Sequence, residues 1–430
     1  MGPQQAPGGA DVAGIGGGAV LPLRLLAGMI TGIYFFGGIL TAMVDILVPK
    51  FKALFTLNYT EAMLTQFCYF LAYLVFSLPA GRIAARLGAV TGTALGVAIM
   101  ALGCVLFAPA AWLGSYPAFL FALFVVSAGT NLFQISANPL IARLGGAGGA
   151  HGRLALGLAF NALGYAVGPL VGTALILSAS AMALPDPAHA PPAVLAAYRL
   201  AEGQIIQRPF LGLALGLVVL AGAVLAVGAR ALRAGGAMLA PVAWRWGVWR
   251  NRRLVAGALA IFCYVGAEVS IGSLLISYLG LPRVLALPMG EAGHFVALYW
   301  LGAMAGRFVG SFTLGRVPAG RQLAGHGLAA IGLIGLSLAS SGWLAAASLI
   351  GVGLANSIMF PALFTLSLEE LGEEAPIGAA LLCMAIVGGA ILPLVTGGLA
   401  DLVGLGWAPV VPALCYGAVV SFGLAARPAA

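Results

Sequence analysis

Two carboxylates lie inside long apolar runs of this 430-residue sequence. A charged side chain at the centre of a lipid bilayer costs about 2.5–3.5 kcal/mol on insertion scales, so such a group requires a reason to be there. Asp45 has Thr41 one helical turn below it and Gly38 on the same face. Glu268 lies near the middle of its run and cannot reach the run's ends. We expect Asp45 to exchange an ion and Glu268 to face a cavity. The alternatives are an interfacial Asp45 and a Glu268 that only joins two helices.

A stripe of amides occupies a third apolar run. Asn131, Gln134 and Asn138 are spaced i, i+3 and i+7, so they share one face of a helix. Asn161 and Asn356 add single amides to two other runs. An amide donates and accepts hydrogen bonds at once, which suits a ligand with many hydroxyl groups. Hydrogen bonding between helices is the alternative function of each amide.

Aromatic residues accompany these polar groups. Tyr264 precedes Glu268 by one turn, and Trp300 lies in the next run beside Tyr299. We expect Tyr264 and Trp300 to stack on a ligand ring, although packing between helices explains most aromatic residues of this kind. The sequence contains no phosphate-binding loop, nucleophile constellation or metal-ligand spacing, which argues against an enzyme, a resident cofactor and a bound metal.

The elements that position these residues are membrane spans. The chain is 62% hydrophobic and only 7% charged, which excludes a soluble protein of this length. A span needs roughly 20 apolar residues, and twelve runs of that kind occur. We therefore predict an all-α membrane protein whose spans begin near Leu23, Ala62, Ala89, Ala118, Leu154, Pro209, Leu254, Glu291, Leu323, Trp343, Pro376 and Ala408.

Positive charges indicate the orientation of the spans. With both termini in the cytoplasm, all but five of the 20 Lys and Arg residues fall on the inner side. The five exceptions are Lys50, Lys52, Arg199, Arg208 and Arg283. Anionic lipid headgroups account for the net charge of +8, so we expect lipid and no nucleic acid as a partner. We predict a monomer in a bacterial inner membrane.

The chain divides into two similar halves. Gly129 and Gly353, Gly164 and Gly388, and the Pro-Leu-Val triplets that begin at Pro169 and Pro393 all recur at an offset of 224. We predict a disordered tail (1–20), a six-helix half (21–229), a basic linker (230–253) and a second six-helix half (254–430). The Pro-rich segment from Ser180 to Arg208 predicts an extended loop. Parallel halves predict a substrate site between them at the midplane, with alternating access.

Short segments in both halves of the chain form a recognisable pattern. They are Asp45–Pro49, Gln134–Pro139, Phe160–Gly164, Tyr264–Ser273, Gly306–Phe308, Asn356–Pro361 and Met384–Gly389. Over almost the whole chain, this pattern resembles the fucose–galactose–glucose proton symporter family of the major facilitator superfamily. The segment Tyr264–Ser273 is similar to the bacterial glucose/galactose branch of that family.

The resemblance implies roles residue by residue. Asp45 matches the family's first-helix carboxylate, which implies that it binds and releases the coupling proton. Gln134 stands where the fucose branch has a second carboxylate, and Asn161 matches a cavity amide. Two positions depart from the family pattern, because Val44 replaces an Asn and Leu158 replaces a Gln. Both changes remove polar groups from the expected cavity.

The sequence thus predicts a hexose importer driven by protons. Asp45 and Glu268 are the coupling candidates, and the expected sugar ligands are Gln134, Asn138, Asn161, Glu268, Asn356, Asn131, Tyr264 and Trp300. Coupling to Na⁺, N-acetylglucosamine as the substrate, and a passive facilitator are the alternatives. A proton/drug antiporter is disfavoured by the amide stripe.

Overall fold

The computed structural model describes residues 17–143, 150–179, 190–233, 250–313, 317–369, 371 and 375–426. These residues form helices joined by short connections, which we number as twelve spans. In the first half they are Gly17–Leu54, Tyr59–Leu87, Ala89–Leu113 (broken at Leu106), Tyr116–Arg143, Ala150–Leu177 (ending in a π-helical turn) and Pro192–Arg233. In the second half they are Arg252–Leu279, Met289–Thr313, Ala319–Ala339, Gly342–Leu368 (broken at Ser357–Ile358), Ala375–Val403 (with a 3₁₀ turn at Ala385–Val387) and Val410–Ala425.

The twelve predicted spans correspond to helices. Eleven helical stretches among the described residues are long and apolar enough to cross a membrane. The helix Met289–Thr313, span 8, is not among them, but its 25 residues cover about 37 Å at 1.5 Å per residue. The all-α class is therefore confirmed. The predicted starts lie close to the observed ones except in span 6.

Span 6 corrects the prediction of an extended loop from Ser180 to Arg208. The helix begins at Pro192 and continues to Arg233. Proline is favoured at the first position of a helix because its missing N–H has no partner to lose there, and the Ala- and Leu-rich residues that follow favour helix. The prolines at 191 and 192 therefore mark a helix start. The rest of the predicted loop, residues 180–189, lies outside the described residues, as do 1–16 of the predicted tail and 234–249 of the linker.

The two sets of six helices meet on one side of the molecule. We call it the far side, because it is opposite the side where span 1 begins and span 12 ends, the terminal side. An apolar cluster joins the halves there, with members from both sets of helices: Val48, Ala62, Met63, Leu274, Ala400, Leu405 and Ala408. Gly397 of span 11 lies against the backbone of Tyr59 in span 2, a contact that leaves no space for a side chain.

A polar contact reinforces this far-side seal. Asp401, at the end of span 11, accepts hydrogen bonds from the backbone N–H groups of Tyr59 and Thr60 at 2.7 and 2.8 Å. The Thr60 hydroxyl donates a third at 2.6 Å. The first N–H groups of a helix have no partner within that helix. A carboxylate from one half therefore caps the start of span 2 in the other half.

Toward the terminal side the helices pack within their own halves. Span 4 packs against spans 1, 2, 3 and 5, and the second part of span 10 packs against spans 7, 9 and 11. On this side Arg253 forms an ion pair with Glu369 at 2.6 Å. The bond joins the end of the linker to the start of an acidic segment, residues 369–374, in which four of the six residues are glutamates. Residues 370 and 372–374 of that segment lie outside the described residues. Among the described residues, contacts between the halves extend from the far-side seal to Gly389 of span 11, which lies against the Phe70 ring near the middle of span 2.

Candidate functional site

Asp45 lies at the contact between the halves. Its side chain is buried, with an exposed fraction of 4%. One carboxylate oxygen accepts hydrogen bonds from Gln66 Nε2 of span 2 at 2.9 Å and from Ser273 Oγ of span 7 at 2.8 Å. The other accepts from Trp300 Nε1 of span 8 at 3.2 Å. Asp45 therefore joins the two halves, and its role in ion coupling stays a prediction.

Gln66 also bonds the second half directly. Its Nε2 donates to Ser273 Oγ at 2.6 Å, so Gln66, Ser273 and Asp45 form a closed triangle. Neither Gln66 nor Ser273 was singled out from the sequence. The signal for Gln66 was present: a single amide in the interior of span 2 is as costly there as the amides of span 4.

Glu268 lies one and a half turns from Ser273 on span 7 and is half-buried. The Tyr264 hydroxyl donates to its Oε1 at 2.7 Å, and the Tyr299 hydroxyl donates to its backbone carbonyl at 3.1 Å. Because Tyr299 and Trp300 are consecutive, one turn of span 8 contacts both acidic residues. The two carboxylates therefore belong to one continuous site across the halves.

Asn356 belongs to a buried network behind Glu268. Its Nδ2 donates to the Tyr299 hydroxyl at 2.8 Å, and its Oδ1 accepts from the Tyr416 hydroxyl at 2.6 Å. Its carbonyl accepts from the Tyr264 hydroxyl at 3.2 Å. Asn356 therefore joins spans 7, 8, 10 and 12, the alternative that the sequence left open. Its role as a sugar ligand stays a prediction.

The amide stripe of span 4 divides between two environments. Asn131 is buried, and its Nδ2 donates to Ser77 Oγ at 2.8 Å and to the Tyr73 carbonyl at 3.2 Å. In this conformation it joins spans 2 and 4. Gln134 is half-buried, and its side chain lies near the Tyr73 phenol. The three amides are therefore not equally available to a ligand.

Tyr34 of span 1 forms hydrogen bonds with the two remaining amides, Asn138 and Asn161. Its hydroxyl donates to Asn138 Oδ1, and its backbone carbonyl accepts from Asn161 Nδ2 at 2.9 Å. Both amides are half-buried. These contacts join spans 4 and 5 to span 1.

Aromatic rings connect this cluster with the acidic residues. The ring of Tyr165, one turn beyond Asn161 on span 5, lies 4.8 Å from that of Trp300. Trp300 is buried between Tyr165 and Asp45, so it donates to the carboxylate as well as packing. Tyr264 is fully buried with its hydroxyl bonded to Glu268 and Asn356. Their predicted stacking on a sugar stays a prediction.

Comparison with known proteins identifies the fold. The family model described as Major Facilitator Superfamily matches residues 30–393. The chain belongs to the major facilitator superfamily. A glucose/galactose transporter of Brucella abortus is 41% identical over 395 residues, 92% of each chain. An L-fucose-proton symporter of Escherichia coli is 30% identical over 94% of this chain and 92% of its own.

A solved structure agrees with this placement. The major facilitator FucP, crystallised in the outward conformation, matches with a TM-score of 0.68 and 28% identity over 96% of this chain and all of its own. The predicted resemblance to the fucose–galactose–glucose symporter family is confirmed, as is the prediction of a transporter in place of an enzyme. The individual site residues and the domain boundaries stay predictions.

Proposed function

We propose that this major facilitator imports a hexose, D-glucose or D-galactose, together with a proton. The observation that carries the proposal is the position of Asp45, a buried carboxylate bonded across the contact between the halves. A group that gains or loses a charge there changes the contacts that hold the halves together. That is the requirement for coupling an ion to alternating access.

Glu268 and the amides supply the sugar site in this proposal. A half-buried carboxylate accepts charge-assisted hydrogen bonds from sugar hydroxyls. Gln134, Asn138 and Asn161 are half-buried on the other half, so they can face the same ligand. The names of the relatives support a neutral hexose, because they include glucose/galactose transporters.

The distribution of positive charge favours an orientation with both termini in the cytoplasm. In a bacterial inner membrane, the far side then faces the outside of the cell. The far-side seal then makes this conformation inward-facing. We propose that the protein acts as a monomer surrounded by lipid, with no further cofactor than the coupling ion.

Uptake of labelled hexose into vesicles separates this proposal from its alternatives. Accumulation driven by an imposed pH gradient is the expected result. Accumulation driven only by Na⁺ would assign Asp45 to sodium, and equilibration without accumulation under either gradient would make the protein a passive facilitator. Failure of every hexose to enter would contradict the proposal.

A competition series tests the substrate class. D-glucose or D-galactose should inhibit uptake of a labelled hexose strongly, and L-fucose poorly. L-fucose lacks the 6-hydroxyl, and a site built to bond a hydroxyl rejects the analogue without it by up to about 10⁴-fold. N-acetylglucosamine is the rival, because the exposed apolar side chain of Leu158 suits an acetamide methyl, whereas Val44 is buried in the apolar core. Strong inhibition by L-fucose would contradict the branch assignment.

Removal of the Asp401 carboxylate tests alternating access at the far side. Asp401→Ala deletes a cap of span 2, and loss of such a cap costs about 1 kcal/mol, or about fivefold in a conformational equilibrium. A cysteine introduced at Leu274, inside the seal, should therefore react about fivefold faster with an impermeant thiol reagent added outside. Glu61→Ala is the matched control, because Glu61 caps the same helix end from within its own half. Equal reactivity in both variants would show that Asp401 does not hold the seal.

A further inference from the structure

The hydrogen bonds around Asp45 come from both halves of the protein. Gln66 belongs to the same half as Asp45, whereas Ser273 and Trp300 belong to the other. In the alternating access proposed above, opening of the far side moves the two halves apart. That movement would take Ser273 and Trp300 away from the carboxylate and leave Gln66 beside it. The number of donors to Asp45 therefore depends on the conformation.

The donors match the charged carboxylate. An indole Nε1 can only donate, and it faces one oxygen of Asp45. Gln66 Nε2 donates to Ser273 Oγ, which leaves the serine hydroxyl hydrogen for the other oxygen of Asp45. A protonated Asp45 would need an acceptor for its own O–H group. The three side chains that contact its carboxylate all donate hydrogen bonds to it, so they favour the charged form. Gln66 thus fixes the direction in which Ser273 donates.

Other charged and titratable groups near Asp45 do not replace these donors. Glu268 approaches from span 7, Tyr165 from span 5 and Tyr299 from span 8, and none of the three is a cation. On the far side, Lys50 of span 1 is paired with Glu202 of span 6 at 2.5 Å. Neutral donors thus bond the carboxylate directly.

We propose that Ser273, oriented by Gln66, drives the proton off Asp45 when the far side closes. The inference rests on the proposed coupling role of Asp45. In the step, the Asp45 O–H bond breaks, its proton passes to water on the terminal side, and the carboxylate takes up the Ser273 O–H hydrogen bond. Ser273 and Gln66 are positioning residues, because they act through Asp45 and need not touch the sugar.

The test sets the pH separately on the two sides of proteoliposomes. In Ser273→Ala the carboxylate loses one donor only in the conformation closed outside. A hydrogen bond to a charged group accounts for about tenfold to a hundredfold in an equilibrium, so internal acid should inhibit uptake at an internal pH about one to two units higher than in the wild type. The dependence on external pH should stay unchanged. A general loss of structure would change the response to internal and external pH alike.

Three variants serve as controls. Ser273→Thr keeps the hydroxyl and should restore the wild-type internal profile. Ser348→Ala removes a buried serine that donates to its own helix and should move neither profile. Gln66→Met removes a donor to Asp45 in both conformations and also leaves Ser273 without its orienting partner, so it should shift both profiles and the internal one further. It provides a second test if Ser273→Ala fails to fold.

The outcomes separate this inference from the proposed function. Equal shifts of the internal and external profiles in Ser273→Ala, or no shift of the internal profile in that variant, would overturn the role of Ser273. Equal shifts of the two profiles in Gln66→Met would show that Gln66 does not act through Ser273. If uptake by the wild-type protein does not depend on pH on either side, the proposed proton coupling itself is wrong. In an Asp45→Asn background, Ser273→Ala should have no effect on either profile, because the group through which Ser273 acts is absent.

Discussion

Asp45→Asn will abolish accumulation of the sugar while exchange between equal pools continues. The permanently neutral amide cannot take up or release a proton, so the pH gradient has no group to act on. The side chain keeps its size and one acceptor oxygen for the donors around it. Its new NH₂ group faces a donor, which should slow exchange without blocking it.

The measurement compares uphill uptake with counterflow in the same vesicles. Wild-type protein should concentrate a labelled hexose about tenfold for each unit of imposed pH gradient if one proton accompanies one sugar. The variant should reach only the external concentration. Glu291→Gln, which neutralises an acidic residue outside the site and outside the far-side seal, is the control and should still accumulate sugar. Normal accumulation by Asp45→Asn would place the coupling site elsewhere.

The spans could be predicted because their determinant is local. Twenty apolar residues in a row cross the hydrocarbon as a helix whatever their neighbours are, since the backbone must satisfy its own hydrogen bonds. The helix Pro192–Arg233 replaces part of the predicted loop for a local reason as well. Clustered prolines indicate a loop, but a proline in the first turn also starts a helix, and the proline pattern alone does not separate the two cases.

The two carboxylates were predictable for a related reason, because an acidic residue within an apolar run is costly wherever it points. Their partners were not. Gln66 and Ser273 are 207 positions apart, and Ser273 and Asp45 are 228 apart, so only the docking of the two halves brings them together. A serine in an apolar run carries little signal by itself, since it can donate to its own helix as Ser270 does.

The amide stripe shows a second limit of the sequence. The spacing of Asn131, Gln134 and Asn138 places them on one face of a helix, and it does not say which neighbour that face meets. Asn131 meets Ser77 of span 2, whereas Asn138 meets Tyr34 of span 1. Periodicity thus predicts a shared face, and the packing of span 4 decides which of the amides a ligand can reach.

The strongest effect on the sugar itself is expected at Glu268. Glu268→Gln should weaken binding of D-glucose or D-galactose by about tenfold to a hundredfold, because a hydrogen bond to a charged acceptor contributes about 1.5–3 kcal/mol. The glutamine Oε1 can still accept from the Tyr264 hydroxyl, which donates to Glu268 in the native protein. Loss of the charge also eases insertion into the membrane. The variant should therefore fold and insert normally.

Calorimetric titration of the purified protein measures its affinity for the sugar directly. Thermal unfolding without sugar measures whether the variant keeps the stability of the native fold. Glu291→Gln is the matched control, because it neutralises an acidic residue at the start of span 8, in the same half. Tyr264→Phe separates the carboxylate from its internal partner: it removes the phenol's bonds to Glu268 and Asn356 but keeps the charge. A ligand role predicts a larger loss of affinity in Glu268→Gln than in Tyr264→Phe. The reverse order, or an unchanged affinity in Glu268→Gln, would assign Glu268 to helix packing or to the coupling step.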